Sequence, residues 1–221
     1  MGRVCVECLF DLGLNVGITY TSEKSRGAIP ERVTRNPERL LARTTDLTAE
    51  VQVDSFVGEV REKFGSVDYL VNAAGGYMGG KSIDEVGVDE WEGIMNINLR
   101  TTFLTCRAIL RLMRVQRFGR IVNISAMAAL SPAAKRGPYA ISKRGVITLT
   151  ETIAEEVKGT GITANAIAPS IIVTKANQES MPGADYSKWV EPDEIADLVL
   201  YLCSDEAKSV NGNVIRISGG V

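Results

Sequence analysis

Histidine is absent from all 221 residues. That removes the Ser-His-Asp and Cys-His nucleophile schemes and the usual zinc ligand sets, leaving no metal site to expect. No apolar run is long enough to cross a bilayer, and no signal peptide is visible at the N-terminus. Neither sign of charge dominates: 25 Lys and Arg stand against 27 Asp and Glu. A net charge of −2 offers no footprint for nucleic acid or an anionic membrane surface. Cysteine is sparse, at four. Cys5 and Cys8 form a C-x-x-C, but Val4, Cys5, Cys8, Leu9 and Leu12 share one face of a helical period from Arg3 to Leu12. Both thiols are therefore expected as small core residues rather than redox or metal groups. What remains is a cytoplasmic enzyme or binding protein for a small molecule, in a single domain over 1–221, with 45% hydrophobic residues to build a core.

What is present is alternation. Asn15–Tyr20, Leu40–Thr44, Val67–Val71, Arg120–Ile124, Ile162–Ala168 and Val214–Ile217 read as short strands. Helical periods lie between them: Arg3–Leu12 closed by Gly13, Thr48–Phe64, Asp89–Val115, Tyr139–Lys158 and Asp193–Cys203. Thr48 is the expected N-cap of its helix, with Val51, Ser55, Val60 and Phe64 facing inward. Ser22–Glu38, interrupted by Gly27, Pro30 and Pro37, is expected as a broken helix or loop. This pattern implies an α/β fold with an open, parallel, doubly wound sheet. Such sheets bind ligands beyond the carboxyl ends of their strands. The segments placed there are Asp46-Leu47, Asn72–Gly76, Ser125-Ala126 and Pro169–Thr174.

One helix carries Tyr139 and Lys143, four apart and so on one face. A lysine cation beside a phenol favours the phenolate and lowers its pKa from the free value of about 10. The tyrosine then becomes a proton donor or acceptor near neutral pH. The spacing alone also describes an ordinary exposed pair on a surface helix.

Together these segments resemble the short-chain dehydrogenase/reductase family, over nearly the whole chain from Gly2 onward. The resemblance implies a Rossmann-like fold and hydride transfer between nicotinamide and a carbonyl or alcohol, or a quinonoid ring, with Tyr139 as proton donor or acceptor. Asp46 and Leu47 would contact adenine, and Asn72-Ala73-Ala74-Gly75 would form the turn under the cofactor. Lys143 would hold the nicotinamide ribose and keep the tyrosine pKa low. Trp91–Leu99 resembles the helix segment whose asparagine supports a proton relay, which puts a relay water on Asn98. Pro169, Ile172 and Thr174 would hold the carboxamide. Tyr20-Thr21-Ser22 stands where an acidic residue would favour NAD, with Lys24 and Arg26 nearby, so NADP is expected over NAD. A homodimer or homotetramer through the two long helices is also implied.

Three departures qualify the resemblance. The family's first strand and its T-G-x-x-x-G-x-G phosphate loop are not in the sequence, which begins in the helix that follows them. A sheet lacking that strand has two unpaired inner edges, and the natural protein is expected to start roughly twenty residues upstream. Second, the family's catalytic serine position is Ala126, and its neighbour Ser125 could serve only through a local bulge. Third, Lys175–Val190 is short for a substrate lid. Ser180–Trp189 and Ala74–Gly80 resemble loops of the dihydropteridine reductase branch, so Tyr77, Met78, Tyr186 and Trp189 either line an aromatic pocket or pack the loops. The competing reading of the chain is a cofactor-binding or structural member without turnover.

Overall fold

Each apolar run of the sequence becomes a strand, and each helical period a helix, in the computed structural model, which describes residues 1–220. The order is α1 (Gly2–Asp11), β1 (Val16–Tyr20), α2 (Glu23–Arg26), α3 (Glu31–Thr34), β2 (Leu40–Thr44), α4 (Glu50–Phe64) and β3 (Tyr69–Asn72). Then follow α5 (Val88–Met95), α6 (Thr101–Gln116), β4 (Gly119–Ile124), α7 (Gly137–Glu156), β5 (Ile162–Pro169), α8 (Lys175–Ser180), α9 (Pro192–Cys203) and β6 (Val214–Ile217). Helix α1 stops at Gly13, whose φ of +87° suits a residue without a β-carbon and whose N–H bonds the Phe10 carbonyl.

All strand pairings are parallel. Every residue of β4 and β5 is buried, as a sheet covered by helices on both faces requires. Side-chain alternation sorts the core into two layers. Ile121 packs with Val53 and Val57 of α4, Met113 of α6 and Ile153 of α7, while Val122 packs with Cys5 of α1 and Ile195 and Val199 of α9.

Three local expectations change. Helix α4 starts one residue late, capped at Ala49, because the Asp46 carboxylate captures the N–H and hydroxyl of Thr48 in a tight turn and so removes Thr48 as a cap. Its buried stripe is accordingly Val53 and Val57, with Val51 80% exposed. The long helix over 88–116 is not uniform either: a π turn at Asn96–Arg100 joins α5 to α6. Finally, the loop after β5 contains the short helix α8.

The hydrogen-bonded strands fall into two groups, β1-β2 and β3-β4-β5-β6. Between β1 and β3 lies a cavity of about 620 Å³, lined by Val16–Tyr20, 67–74 and residues of α1 and α4. Gly17 has no side chain here because a β-carbon would come within 2.8 Å of Val60 of α4. In a parallel strand successive amides point to opposite sides. Val16 donates to Arg39, and Arg120 donates to Asp68, so the N–H groups of Gly17, Thr19, Tyr69 and Val71 face the slot. Unpaired backbone amides exchange faster than laddered ones. Hydrogen exchange followed by NMR is therefore expected to show these four amides exchanging about 10²-fold or more faster than Ile18 and Leu70. Equal protection would mean that the two edges close on each other in solution.

Candidate active site

The π turn between α5 and α6 widens the helix by one residue and turns Asn98 fully inward. Its Oδ1 accepts the Gly76 N–H at 2.9 Å, and its Nδ2 donates to the Gly76 carbonyl and to Ser142 Oγ, both at 3.0 Å. The Gly76 amide can only donate, so it dictates which way round the Asn98 amide sits. Ser142 Oγ donates in turn to the Tyr139 carbonyl at 2.8 Å. One side chain thus ties the turn after β3 to the first turn of α7. Asn98 is expected to hold a relay water, and three of its amide hydrogen-bonding positions also make this brace.

Lys143 is 6% exposed, and its Nζ donates to the Ile124 carbonyl at the end of β4, 2.9 Å away. Burial lowers its pKa to about 8, because the ammonium loses hydration without gaining a carboxylate. Ser125 does not join the group. Its N–H continues the ladder to Ile167, so no bulge re-aims it, and its hydroxyl is spent on the Lys143 carbonyl at 2.8 Å. Ala126, the next residue, offers no hydroxyl.

Tyr139 is half-buried, and no described group hydrogen-bonds its hydroxyl. Burial raises its pKa, and the neighbouring Tyr77 raises it further. The sign is opposite to the one expected from the lysine four residues on. The Lys143 ammonium is anchored on Ile124, and desolvation of the phenol outweighs the one cation that lowers its pKa, Arg136.

Asn98 and Lys143 both face Gly75. A β-carbon there would sit 2.7 Å from Asn98 Oδ1 and 3.1 Å from Lys143 Nζ, so only glycine leaves that space free. An acceptor and a donor facing a bare glycine backbone suit the hydroxyls of a cofactor ribose. Beyond the carboxyl end of β2, Asp46 is exposed, and its bonds to Thr48 hold its carboxyl below the ordinary range. Leu47 packs half-buried against the α4–α6 core. Ala73 and Ala74 line the slot between the sheets. Pro169 ends β5, the Ile172 carbonyl accepts Asn177 Nδ2, and Thr174 Oγ1 caps α8. At the end of β1, Ser22 caps α2 and Arg26 pairs with Glu23, while Lys24 has no carboxylate partner among the described residues.

Asn72 is turned away from this surface. Its Nδ2 donates to Asn123 Oδ1 at 2.8 Å and its Oδ1 accepts Thr105 Oγ1 at 2.7 Å. Asn123 Nδ2 continues to Thr150 Oγ1 at 2.9 Å. Asn72 is therefore a core strut that links β3, β4, α6 and α7 and offers the cofactor no side chain. Asn123 went unremarked in the sequence, although a lone asparagine inside the apolar run Arg120–Ile124 was a usable signal: buried amides need partners. Tyr186 and Trp189 also leave the site, packing on each other at 4.6 Å with the Tyr186 hydroxyl donated to Gln178 and Met181. Tyr77 alone of the aromatic set meets Tyr139. The C-x-x-C thiols are free, and burial pushes Cys5 up to about 11 and raises Cys8, which makes neither a ready nucleophile.

The sequence model of the family described as enoyl-(acyl carrier protein) reductase matches residues 1–221. A 3-oxoacyl-[acyl-carrier-protein] reductase, FabG, of Vibrio harveyi is 32% identical over 229 residues, which is 100% of this chain and 92% of that relative. The (2S)-[(R)-hydroxy(phenyl)methyl]succinyl-CoA dehydrogenase subunit BbsD of Thauera aromatica is 34% identical over 207 residues, 90% of this chain and 82% of that one. Among solved structures, levodione reductase superposes with a TM-score of 0.88 at 30% identity, covering 99% of this chain and 92% of the other. A structure described as ElxO with NADP bound gives 0.89 at 27% identity with the same coverage.

Proposed function

The chain belongs to the short-chain dehydrogenase/reductase family, and on that footing we propose that it reduces a carbonyl compound with NADPH, Tyr139 supplying the proton. The observation that carries this reading is the Tyr139 hydroxyl itself, without a hydrogen-bond partner among the described residues and on the same helix as Lys143, whose Nζ faces Gly75. Bound nicotinamide would supply the hydride. This chain's residues do the rest. The raised pKa keeps the phenol protonated at neutral pH, ready to quench charge developing on a carbonyl oxygen. Lys143, with a pKa of about 8, holds a proton near working pH that can replace the one Tyr139 gives up, and its Nζ, facing Gly75, would bind the ribose. Asn98 and Ser142 keep the tyrosine's helix turn aligned with the cofactor's turn.

NADP is preferred over NAD on the strength of the unpaired Lys24 at the end of β1, and the NADP-bound neighbour ElxO is in keeping with it. A carbonyl is preferred over a quinonoid ring because the FabG relatives are named for a 3-oxoacyl group. No helix among the described residues is long and apolar enough to cross a membrane, and four free thiols suit a reducing cytoplasm. Exposed Phe103 on α6 and Ile141 on α7 favour a homodimer or homotetramer through those helices.

The test is NADPH fluorescence on titration with protein, followed by oxidation of the cofactor with a 3-oxoacyl thioester, a cyclic diketone and a quinonoid pterin. Binding with turnover of a carbonyl compound is expected. Binding without turnover of anything in the panel would overturn the reading in favour of a cofactor-binding member that has lost catalysis, to which Ala126 would then point.

A further inference from the structure

Tyr77 follows the turn after β3 and lays its ring edge-on to Tyr139, with centroids 5.0 Å apart and planes at 69°. Yet Tyr77 remains 64% exposed. A large aromatic ring left open to water, touching the residue that carries the chemistry, is a surface waiting for a partner. Its position is built, not accidental. Gly79 leaves room for the ring in this position: a β-carbon there would overlap the Tyr77 hydroxyl and push the ring aside. The Gly80 N–H bonds the Lys135 carbonyl at 2.8 Å, and Lys135 adopts a φ of +62° to present it. That bond ties the Tyr77 loop to the segment leading into α7 and Tyr139.

Resting on the reading of the site as a carbonyl reductase, we infer that Tyr77 is a specificity-determining residue: its exposed ring forms one wall of the substrate site and selects compounds with a planar unsaturated group next to the reacting carbonyl. A flat π system can stack on the free face of Tyr77 while its carbonyl oxygen meets the Tyr139 hydroxyl. A saturated ring of equal size is thicker and lacks the quadrupole that makes aromatic contacts favourable.

The experiment compares a phenyl ketone with its cyclohexyl counterpart under NADPH. Wild type is expected to favour the phenyl compound by about tenfold in kcat/KM. Tyr77→Phe keeps the preference. Tyr77→Leu loses it, through a higher KM for the phenyl compound with kcat little changed. Gly79→Ala, which displaces the ring without removing it, is expected to lose the preference as well. An unchanged phenyl-to-cyclohexyl ratio in Tyr77→Leu overturns the inference. A second arm needs no turnover: ligand-observed NMR titration of the two corresponding alcohols with wild type and Tyr77→Leu. Weaker binding of the phenyl alcohol alone in Tyr77→Leu upholds the wall even if no variant reduces a ketone, in which case the reductase reading falls by itself. Equal loss for both alcohols, or loss for neither, removes the wall whatever the enzyme does.

Discussion

Tyr139→Phe is expected to lower kcat for carbonyl reduction by about 10²–10⁴-fold, the usual contribution of a positioned proton donor. The substitution deletes a single oxygen. That oxygen makes no hydrogen bond to any described residue, so its removal strands no buried partner. The edge-on packing of Tyr77 needs only the ring, which phenylalanine keeps. Thermal midpoint and NADPH affinity should therefore match wild type while turnover collapses. The brace from Asn98 through Ser142 ends on the Tyr139 backbone carbonyl, not on its side chain, and survives intact. Full activity in Tyr139→Phe, measured as cofactor oxidation, would sink the proposed mechanism. A fall in activity that tracks a fall in melting temperature would show a packing role instead. The raised pKa has its own signature. Tyrosinate absorbance of the wild type minus Tyr139→Phe should titrate above pH 10, and a transition below that value would restore the lysine-lowered phenol first expected from the spacing.

Lys143→Met is expected to have the second large effect, and in two directions. Activity should fall by about 10²-fold or more as the cation facing the Gly75 opening disappears. Stability should rise. The folded pKa is about 8 against 10.5 in the unfolded chain, so the unfolded state binds the proton more tightly between those values. Below pH 8 the buried cation opposes folding by about 3 kcal/mol. That penalty shrinks as pH rises from 8 toward 10.5 and is gone above it. Methionine fills similar volume without charge, but leaves the Ile124 carbonyl without its donor, at a cost of about 1 kcal/mol. The net gain at pH 7 is about 2 kcal/mol. Urea unfolding at pH 7 and at pH 10.5 checks it: the variant should be the more stable at pH 7, and that advantage should be lost or reversed at the higher pH. A destabilised variant at pH 7 would mean that the lysine is better solvated, or better paired, than its burial implies. The physical interest lies in the opposition: the group most useful near the cofactor is among the most costly to bury.

Much of the architecture is local and therefore legible in the sequence. Period-two and period-3.6 apolar patterns located β1 through β6 and the main helices to within a few residues, because each element buries one repeating face. Gly13 and Gly65 closed their helices for a backbone reason that needs no neighbour. The Tyr139–Lys143 spacing put both residues on one turn, and the match across the whole chain gave that spacing its family.

Tertiary structure alone decided where side chains were aimed. Position along the chain assigns Asn72 and Ser125 to the cofactor or the reaction without saying where their side chains point. Asn72 found Asn123, 51 residues away, and Ser125 found the Lys143 carbonyl, 18 away. Those partners sit on other elements, and a buried amide or hydroxyl takes whichever partner the fold brings within reach. The direction of the Tyr139 shift followed the same logic. Sequence spacing determined that a lysine lies one turn from the phenol. Burial, and the Tyr77 ring brought in from a loop 62 residues earlier, determined that the phenol holds its proton. Desolvation is a property of the whole packed environment and is not written at any one position of the chain.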